Sequence, residues 1–314
     1  MIVTTLKESA HASALADASH DGTTRNTALL NLDKGVFREN FNQRFFEVHH
    51  RLSGHPLFAL PRLIELARDT ARQRPDHLHY DAGDVGIGTR WEDAPKVDCP
   101  IDETIRRIDT MGAWIILWNA NLDPEYRVLL DGAMAEIFAA AEPGLERQLK
   151  KREIIIFITS PNRVTSYHID RECNFLLQIQ GNKEISVFDR NDREVLPEVE
   201  IERFWTVDNN AATYKPELQD RANVYQLEPG NGLHIPINSP HWLKNGDNVS
   251  VTASFNFQFS DNERANVYRA NHYLRQLGIN PRAPFRAPVV DFAKNSLYIA
   301  ARAAYRTVRG KPQK

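Results

Sequence analysis

The chain has 314 residues, of which 42% are apolar and 25% are charged, and this composition excludes a wholly disordered protein. Its formal net charge of −2 excludes nucleic acid as a primary ligand held by bulk electrostatics. The two cysteines, Cys99 and Cys173, are too few for a disulfide scaffold. We therefore expect a reducing compartment, most simply the cytoplasm.

Residues 1–30 are rich in Ala, Ser, Thr and Asp, and we expect them to be loosely ordered. They lack the cationic start and apolar run of a secretory signal, and no apolar run in the chain reaches the length of a membrane span. The sequence therefore predicts neither a signal peptide nor a transmembrane segment.

The next part of the chain is predicted to be mainly helical. Its periodicity predicts helices over 61–74, 102–112 and 123–140, with a short buried strand over 113–119. Asp102 is the expected cap of the second helix and Gly112 its end, whereas Asp123 and Pro124 begin the third.

From residue 152 the pattern changes to strands rich in β-branched and aromatic residues. They are predicted over 154–159, 165–170, 175–180, 183–188, 224–227, 233–237 and 249–259. Gly181 and Asn182 predict a two-residue hairpin turn. Residues 190–223 form a long insertion with aromatic residues, which we expect at the entrance of a site. These strands indicate an antiparallel barrel over about 100–260.

The C-terminal tail is basic. Residues 282–314 contain eight basic residues against Asp291 alone, a net charge of +7, so residues 1–281 carry −9. Residues 292–308 are predicted to form a helix with Tyr298, Ala301, Tyr305 and Val308 along one side. This side is expected to pack on the same domain or on a second subunit. Docking on an anionic membrane or an acidic partner is the alternative.

Two of the eleven histidines have a spacing that suits a metal site. His168 and Asp170 share a face if they lie on a strand, and His241 can supply a third ligand from another segment. Two histidines and one carboxylate on one face are the ligand set of non-haem Fe(II) oxygenases. A rival set, His77, His79 and Asp81, would also share a strand face, so the HxD motif alone is weak.

The residues around His168 make this motif more specific. A Thr lies three residues before His168, an Asn six after it, and a Lys fifteen after it, beyond a QIxG stretch. Residues 228–236, His241 and Asn256 continue the pattern downstream. Together they resemble the core of the JmjC and cupin-like 2-oxoglutarate (2OG) oxygenases, with the asparaginyl-hydroxylase type most similar. The resemblance covers about residues 100–260.

The resemblance implies a mainly β fold, a double-stranded β-helix or jelly-roll barrel, flanked by a helical N-terminal part and a C-terminal helical tail. It implies Fe(II) held by His168, Asp170 and His241, with 2OG and O₂ as cosubstrates. The implied 2OG-binding residues are Thr165, Asn174, Lys183 and Asn256. Lys183 and Thr165 would hold the far carboxylate of 2OG, and Asn174 and Asn256 the end near the metal.

Some residues depart from the family pattern or have a simpler interpretation. The strand over 113–119 lacks the Tyr that contacts 2OG in the asparaginyl type, although Trp118 can fill that space. Without the resemblance, Lys183 would be read as a solvated lysine at a strand end. His234 lies seven residues before His241, on the same predicted strand, and is expected to pack in the interior or to support the site. Cys173 is expected to be a small buried residue.

We therefore expect an Fe(II)- and 2OG-dependent hydroxylase acting on a protein, an amino acid or a small molecule. A metal cupin enzyme that does not use 2OG, and a non-catalytic cupin-fold sensor or binding module, are the alternatives. The expected division is an N-terminal segment (1–30), an oxygenase domain (31–265) and a basic helical tail (266–314). A homodimer through the C-terminal helix is also expected.

Overall fold

The computed structural model describes residues 28–259 and 263–309. The expectation of loose order for residues 1–27 therefore lies outside the described residues, and the predicted division at residues 30 and 265 stays a prediction. Within the described part, twelve strands form two sheets. They are β1 (Leu30–Asn31), β2 (Phe46–His50), β3 (Leu78–Ala82), β4 (Ala113–Leu117), β5 (Leu149–Thr159), β6 (Val164–His168), β7 (Cys173–Gln180), β8 (Lys183–Val187), β9 (Asn223–Leu227), β10 (Asn231–Ile235), β11 (His241–Asn245) and β12 (Ser250–Phe259).

The larger sheet has eight strands in the order β1-β2-β10-β7-β12-β5-β4-β3, and the smaller has four in the order β6-β11-β8-β9. Every neighbouring pair is antiparallel. The sheets face each other, because one cavity is lined by side chains from both. Two opposed antiparallel sheets with crossing connections confirm the predicted jelly-roll architecture.

The helices cover the outer face of the larger sheet and extend the chain at its C-terminal side. They are α1 (Lys34–Asn40), α2 (Leu60–Gln73), α3 (Ile101–Arg106), α4 (Pro124–Ala140), α5 (Leu145–Gln148), α6 (Glu198–Phe204), α7 (Glu263–Gln276) and α8 (Pro288–Arg309). The main apolar core lies between α2, α3, α4 and the larger sheet. None of the helices in the described ranges is long and apolar enough to cross a membrane.

The predictions for α2, β4 and α4 are confirmed. Every residue of β4 is buried, as its apolar run predicts. The Asp123 carboxylate accepts a hydrogen bond from the Glu125 N–H and caps α4. The prediction for α3 is wrong at both ends, because Pro100 is the N-cap and the helix ends at Arg106. Asp102 instead lies in the first turn of α3, where its carboxylate pairs with two arginines.

The seven predicted strands are all present, but two connections differ from the prediction. Gly181 and Asn182 join β7 of the larger sheet to β8 of the smaller one, so they do not form a hairpin between paired strands. Gly181 has φ +72°, and a Cβ there would lie 2.3 Å from Asn248 Oδ1 and from the Val249 carbonyl. Glycine is therefore required where the chain changes sheets.

The second difference concerns residues 233–241, which the sequence predicts as one strand leading into a turn. β10 ends at Ile235, and His241 begins a separate strand, β11, in the other sheet. Asn238 lies between them in the left-handed region with φ +60°. Two prolines and this turn carry the chain across the barrel, which places His241 opposite β6.

The 190–223 insertion folds into a compact layer. It contains α6 and a 3-10 turn over Pro216–Arg221. Leu196, Ile201 and Phe204 pack on Tyr268 of α7, so the insertion joins the barrel to the C-terminal helices. None of its residues lines the cavity between the sheets, which corrects the expectation that it forms the entrance.

The predicted helix over residues 292–308 lies within α8. Lys294 and Asn295 are buried against other segments of the same chain, and Lys294 Nζ donates to the Arg282 carbonyl at 2.7 Å. Tyr298 is half-buried but Tyr305 is 58% exposed, so the tyrosine side packs only in part on its own domain, and its packing on a second subunit stays a prediction. The large apolar residues of the helix are exposed instead, namely Val289, Val290, Phe292, Leu297 and Ile299.

Candidate metal centre

The structure brings His168, Asp170 and His241 together. His168 ends β6 and His241 begins β11, and the two are register partners across the smaller sheet. Asp170 follows β6 by two residues. His241 Nε2 lies 3.7 Å from Asp170 Oδ2, and His168 Nε2 lies 4.0 Å from Asp170 Oδ1. One ligand atom from each residue lies within 4.8 Å of the others, which suits a single metal ion.

Backbone carbonyls fix the orientation of both imidazole rings. His168 Nδ1–H donates to the Ser166 carbonyl at 2.7 Å, and His241 Nδ1–H donates to the Ser239 carbonyl at 3.0 Å. A carbonyl can only accept, so each Nδ1 carries a proton, and Nε2 is the ring nitrogen that a metal ion can bind. Burial, reinforced by the neighbouring His168, lowers the pKa of His241 to about 4. The ring is therefore neutral at physiological pH, as a metal ligand must be.

The rival set is not assembled. His77 lies in a 3-10 turn before β3, and only His79 approaches Asp81, at 3.3 Å from Nε2 to Oδ2. Asp81 is instead paired with the buried guanidinium of Arg163, which also donates to the Gly83 carbonyl. Within the ranges that the structure describes, His168, Asp170 and His241 form the single group of three ligands.

A cavity of about 210 Å³ extends from these three residues between the two sheets. Lys183 also lines this cavity. It pairs with Asn245, which lies four residues along β11 from His241, so Lys183 lies at the end of the cavity away from the three candidate ligands. Four residues of strand span about 13 Å. Thr165 lies between these levels, opposite Leu243, and also lines the cavity.

Lys183 is 5% exposed, so the interpretation as a solvated lysine at a strand end is wrong. No hydrogen-bond or ion-pair partner for its ammonium is present among the described residues. Burial alone lowers the pKa of Lys183 to about 7. An unpaired lysine in this position stabilises the protein only when an anion binds beside it.

Asn174 and Asn256 line the cavity from the larger sheet. They are register partners on β7 and β12, and both are buried. Asn174 Oδ1 is buried without a hydrogen-bond partner among the described residues. The Ser254 hydroxyl donates to Asn256 Oδ1 at 2.6 Å, which leaves the Asn256 amide N–H groups for another acceptor. Both amides thus retain hydrogen-bonding capacity toward the cavity.

Sequence reasoning missed two carboxylates in the cavity, Glu153 and Glu172. Glu153 lies on β5 directly across from Asn256, and it shares a strand face with Ile155 and Phe157. This alternation was the signal that could have identified it. Glu172 lies between Asp170 and β7, where burial, and then Asp170 and Glu153, raise its pKa to about 7.

Three tryptophans, Trp91, Trp114 and Trp118, line the cavity beside these carboxylates. Trp118 directly follows β4, the segment in which the asparaginyl-hydroxylase type has a tyrosine and this chain has none. Trp91 packs against Trp114 with ring centroids 5.3 Å apart, and against His168 at 5.6 Å. Trp91 begins a short 3-10 turn (Trp91–Asp93) within the loop between β3 and α3, where the sequence has no periodic pattern, so nothing in the sequence indicated it.

The loop that carries Trp91 is held by the 190–223 insertion. Arg90 Nη2 lies 2.9 Å from Asp208 Oδ1, and the Asn210 side-chain amide donates to Glu92 Oε2 at 2.8 Å. The insertion therefore contributes to the cavity indirectly, by fixing the loop that covers it.

His234 and Cys173 lie outside the site. His234 is fully buried on the opposite face of β10 from Ile235, where it stacks on Phe41 and packs against Phe46 and Phe175. Its Nε2 accepts a hydrogen bond from the Asn42 N–H, and burial lowers its pKa to about 3. It therefore has the packing role, and its expected place on the strand of His241 is wrong. Cys173 is fully buried, and burial raises its pKa, as expected for a packing residue.

A jelly-roll barrel with two histidines and an aspartate at the mouth of an internal cavity defines a cupin-type candidate metal centre. No protein-family model matches the chain, and no curated protein matches it. Solved structures similar to it include Escherichia coli YcfD, with 16% identity over 87% of this chain and 68% of that chain and a TM-score of 0.49. The ribosomal oxygenase YcfD from Escherichia coli in complex with cobalt and 2-oxoglutarate has 15% identity, covering 87% and 67% of the two chains, with a TM-score of 0.46. Identity at this level transfers no residue role.

Proposed function

We propose that the protein is an Fe(II)- and 2OG-dependent oxygenase that hydroxylates a C–H bond of its substrate. One observation carries this proposal: the open triad and the unpaired, buried Lys183 occupy opposite ends of one cavity. A ligand that joins them must bind metal at one end and carry a negative charge at the other. 2OG has both properties.

The residues present fit iron and 2OG. Two imidazoles and one carboxylate suit Fe(II) and leave three positions of an octahedral ion open. The far carboxylate of 2OG would accept hydrogen bonds from the Lys183 ammonium and the Thr165 hydroxyl. Asn174 and Asn256, on the larger sheet, would bind the end of 2OG nearer to the metal. These assignments are proposals that the cavity geometry supports.

The chain's own contribution is orientation and exclusion of water. Lys183 would take up a proton at Nζ when a carboxylate binds beside it, because burial otherwise keeps its pKa near 7. Leu176, Ile235 and Leu243 give the cavity apolar walls that keep water away from this ion pair. When bound, iron, 2OG and O₂ supply the oxidation, in which 2OG is converted to succinate and CO₂ while the substrate is hydroxylated.

The alternatives are a metal cupin that does not use 2OG and a binding module without turnover. Neither needs a buried lysine facing the metal. An anaerobic titration of Fe(II) and 2OG distinguishes them, since chelated 2OG gives a visible charge-transfer band. We expect this band in the wild type and its loss in His168→Ala. Iron binding with no band, unchanged by Lys183→Ala, would overturn the proposal.

Hydroxylation is proposed in preference to demethylation because the motif resembles the hydroxylase branch. The proposed substrate is a protein, an amino acid or a small molecule. A succinate-release screen against peptides, free amino acids and lysate fractions would identify the class. We also propose a cytoplasmic location, which the two free cysteines support.

We further propose a homodimer formed through α8. One side of this helix is anchored to its own chain by the buried Lys294 and Asn295. The apolar side chains of Val289, Phe292 and Leu297 are not needed for that anchor, since they are 82%, 66% and 63% exposed. A second copy would remove these side chains from water. Truncation after Ala287, followed by light scattering, tests the proposal, and an unchanged mass would contradict it.

A further inference from the structure

Asp170 is the one candidate metal ligand that lies outside the strands, two residues beyond the end of β6. Its carboxylate oxygens lie 3.7 Å and 4.0 Å from the two imidazole Nε2 atoms, but they accept no hydrogen bond from any residue that the structure describes. The rings of His168 and His241, in contrast, are each fixed by a backbone carbonyl. The direction of the Asp170 carboxylate therefore depends on what holds the backbone around it.

The two chain neighbours of Asp170 are held by the insertion. Ile169 is buried in the apolar cluster that contains Phe204 of α6. Arg171 Nη2 donates to the Phe204 carbonyl at 2.8 Å, and the guanidinium carbon lies 5.6 Å from the centre of the Trp205 ring. An indole attracts a guanidinium at this distance. The residues on either side of Asp170 are thus tied to the end of α6.

Trp205 reaches Asp170 by a second route. The Trp205 Nε1–H donates to Asn238 Oδ1 at 3.2 Å. Asn238 lies in the turn that leads from β10 to β11, and its backbone N–H donates to the Asp170 carbonyl at 3.0 Å. One side chain therefore contacts both groups that hold the Asp170 backbone, namely Arg171 on one route and Asn238 on the other.

Trp205 is itself held by α7. Arg269 Nε donates to the Trp205 carbonyl at 3.0 Å, and the Arg269 guanidinium carbon lies 5.5 Å from the centre of the same indole. The Trp205 ring does not line the cavity between the sheets. Its contacts are therefore those of a residue that supports the metal centre from behind and does not touch a bound substrate.

We infer that Trp205 is a positioning residue for the metal ligand Asp170. By holding Arg171 and Asn238, it keeps the Asp170 carboxylate directed at the two Nε2 atoms. The inference rests on the metal centre of the proposed function and is independent of 2OG. Partners that orient a metal ligand contribute strongly to metal affinity, although they never contact the ion.

The test is a Co(II) titration of the metal-free, full-length protein without oxygen. Co(II) binds nitrogen ligands more tightly than Mn(II), and its visible spectrum reports the coordination. Trp205→Phe keeps the aromatic ring and removes the Nε1–H donor, so Co(II) affinity should fall between about three- and tenfold, with a changed spectrum at saturation. Asn238→Gly keeps the left-handed turn and removes the acceptor, and it should cause the same loss. Because both variants break one hydrogen bond, the double variant should lose no more than either single one.

The same titration in an Asp170→Ala background separates positioning from general damage to the fold. Trp205→Phe should have no further effect there, because the carboxylate through which it acts is missing. Trp242→Phe is the matched control, since it removes a similar hydrogen bond, from Nε1–H to Gln219 Oε1 of the insertion at 3.0 Å, and should leave Co(II) affinity unchanged. Urea unfolding of each variant checks its stability.

Wild-type Co(II) affinity in both Trp205→Phe and Asn238→Gly would overturn the inference alone. A loss of equal size in the Asp170→Ala background, or in Trp242→Phe, would also overturn it, because the effect would then not pass through Asp170. Failure of the wild type to bind Co(II) would contradict the proposed function as well, so the two failures are distinct.

Discussion

His168 and His241 are 73 positions apart in the chain, yet they are direct register partners across β6 and β11, with ring centroids 4.2 Å apart. Each ring is fixed by its own backbone carbonyl, two residues earlier in the chain. The positions and orientations of the two imidazoles are therefore set by the sheet register and by these two carbonyls.

The first prediction concerns metal affinity. Asp170→Ala removes the carboxylate that faces both Nε2 atoms, so Mn(II) binding should weaken by at least about tenfold. Isothermal titration of Mn(II) into the wild type and the variant measures this loss. Asp69→Ala, which removes an exposed partner of Arg72, is the control and should bind Mn(II) normally. Equal affinity of Asp170→Ala and the wild type would exclude Asp170 as a ligand.

The second prediction concerns pH and Lys183. Because burial lowers the folded-state pKa from 10.5 to about 7, the unfolded state binds more protons between pH 7 and pH 10. The contribution of Lys183 to stability therefore rises with pH through this window, and its cost is fully present below pH 7. Lys183→Met should stabilise the ligand-free protein below pH 7 by a few kcal/mol, roughly 1.4 for each unit of the shift.

Urea unfolding of the wild type and Lys183→Met at several pH values measures this difference, which should shrink above pH 7. A difference that is independent of pH would contradict a lowered pKa. The same variant should bind 2OG far more weakly. In the wild type, 2OG binding above pH 7 should be accompanied by proton uptake, which titrations in buffers of different ionisation enthalpy detect.

The third prediction concerns the loop that covers the metal centre. Asp208→Asn weakens the ion pair with Arg90 and should loosen Trp91 without changing metal binding. We expect acrylamide to quench tryptophan fluorescence more strongly in this variant, since Trp91 is then more exposed. Asp247→Asn, away from this loop, is the control. Unchanged quenching in Asp208→Asn would show that the ring contacts of Trp91 with Trp114 hold the loop by themselves.

The fourth prediction concerns the buried ion pair of Asp81 and Arg163, whose side chains are 4% and 3% exposed. Asp81→Ala leaves a buried guanidinium without its partner and should lower the free energy of unfolding by about 3–5 kcal/mol. Chemical denaturation measures this loss. Replacing the exposed Asp69 should cost less than about 1 kcal/mol. A small effect of Asp81→Ala would mean that the Gly83 carbonyl satisfies Arg163 by itself.

The sequence predicted most strands after residue 152 well, because each has a local signature of alternating or β-branched residues. It did not predict β1 or β2, which extend the larger sheet into the part of the chain before residue 100 that was expected to be mainly helical. It could not predict which sheet a strand joins, since pairing depends on contacts distant in the chain. The turn at Gly181 shows this limit: its residues suit a hairpin, but the packing against Asn248 and Val249 makes it a crossover. The start of β11 was missed because Pro236 and Pro240 obscure the boundary after β10.

The candidate site was predicted in part for a similar reason. His168, Asp170, His241 and Lys183 were identified from their spacing in the sequence, because this spacing resembles a known motif. Trp91 has no such signal, because a loop side chain reaches the cavity only through contacts with the insertion. Glu153 could have been identified from strand alternation, but a charged residue in an apolar strand was not recognised as facing inward.

The two sheets carry different parts of the cavity. The smaller sheet carries His168, His241, Thr165 and Lys183, whereas the larger sheet and its edge carry Glu153, Trp114 and Trp118. None of the proposed iron or 2OG ligands lies on β4 or β5, since Asn174 and Asn256 of the larger sheet belong to β7 and β12. Substitutions confined to β4 and β5 would therefore reshape one wall of the cavity while every proposed ligand stays in place, which makes the barrel a natural starting point for directed evolution.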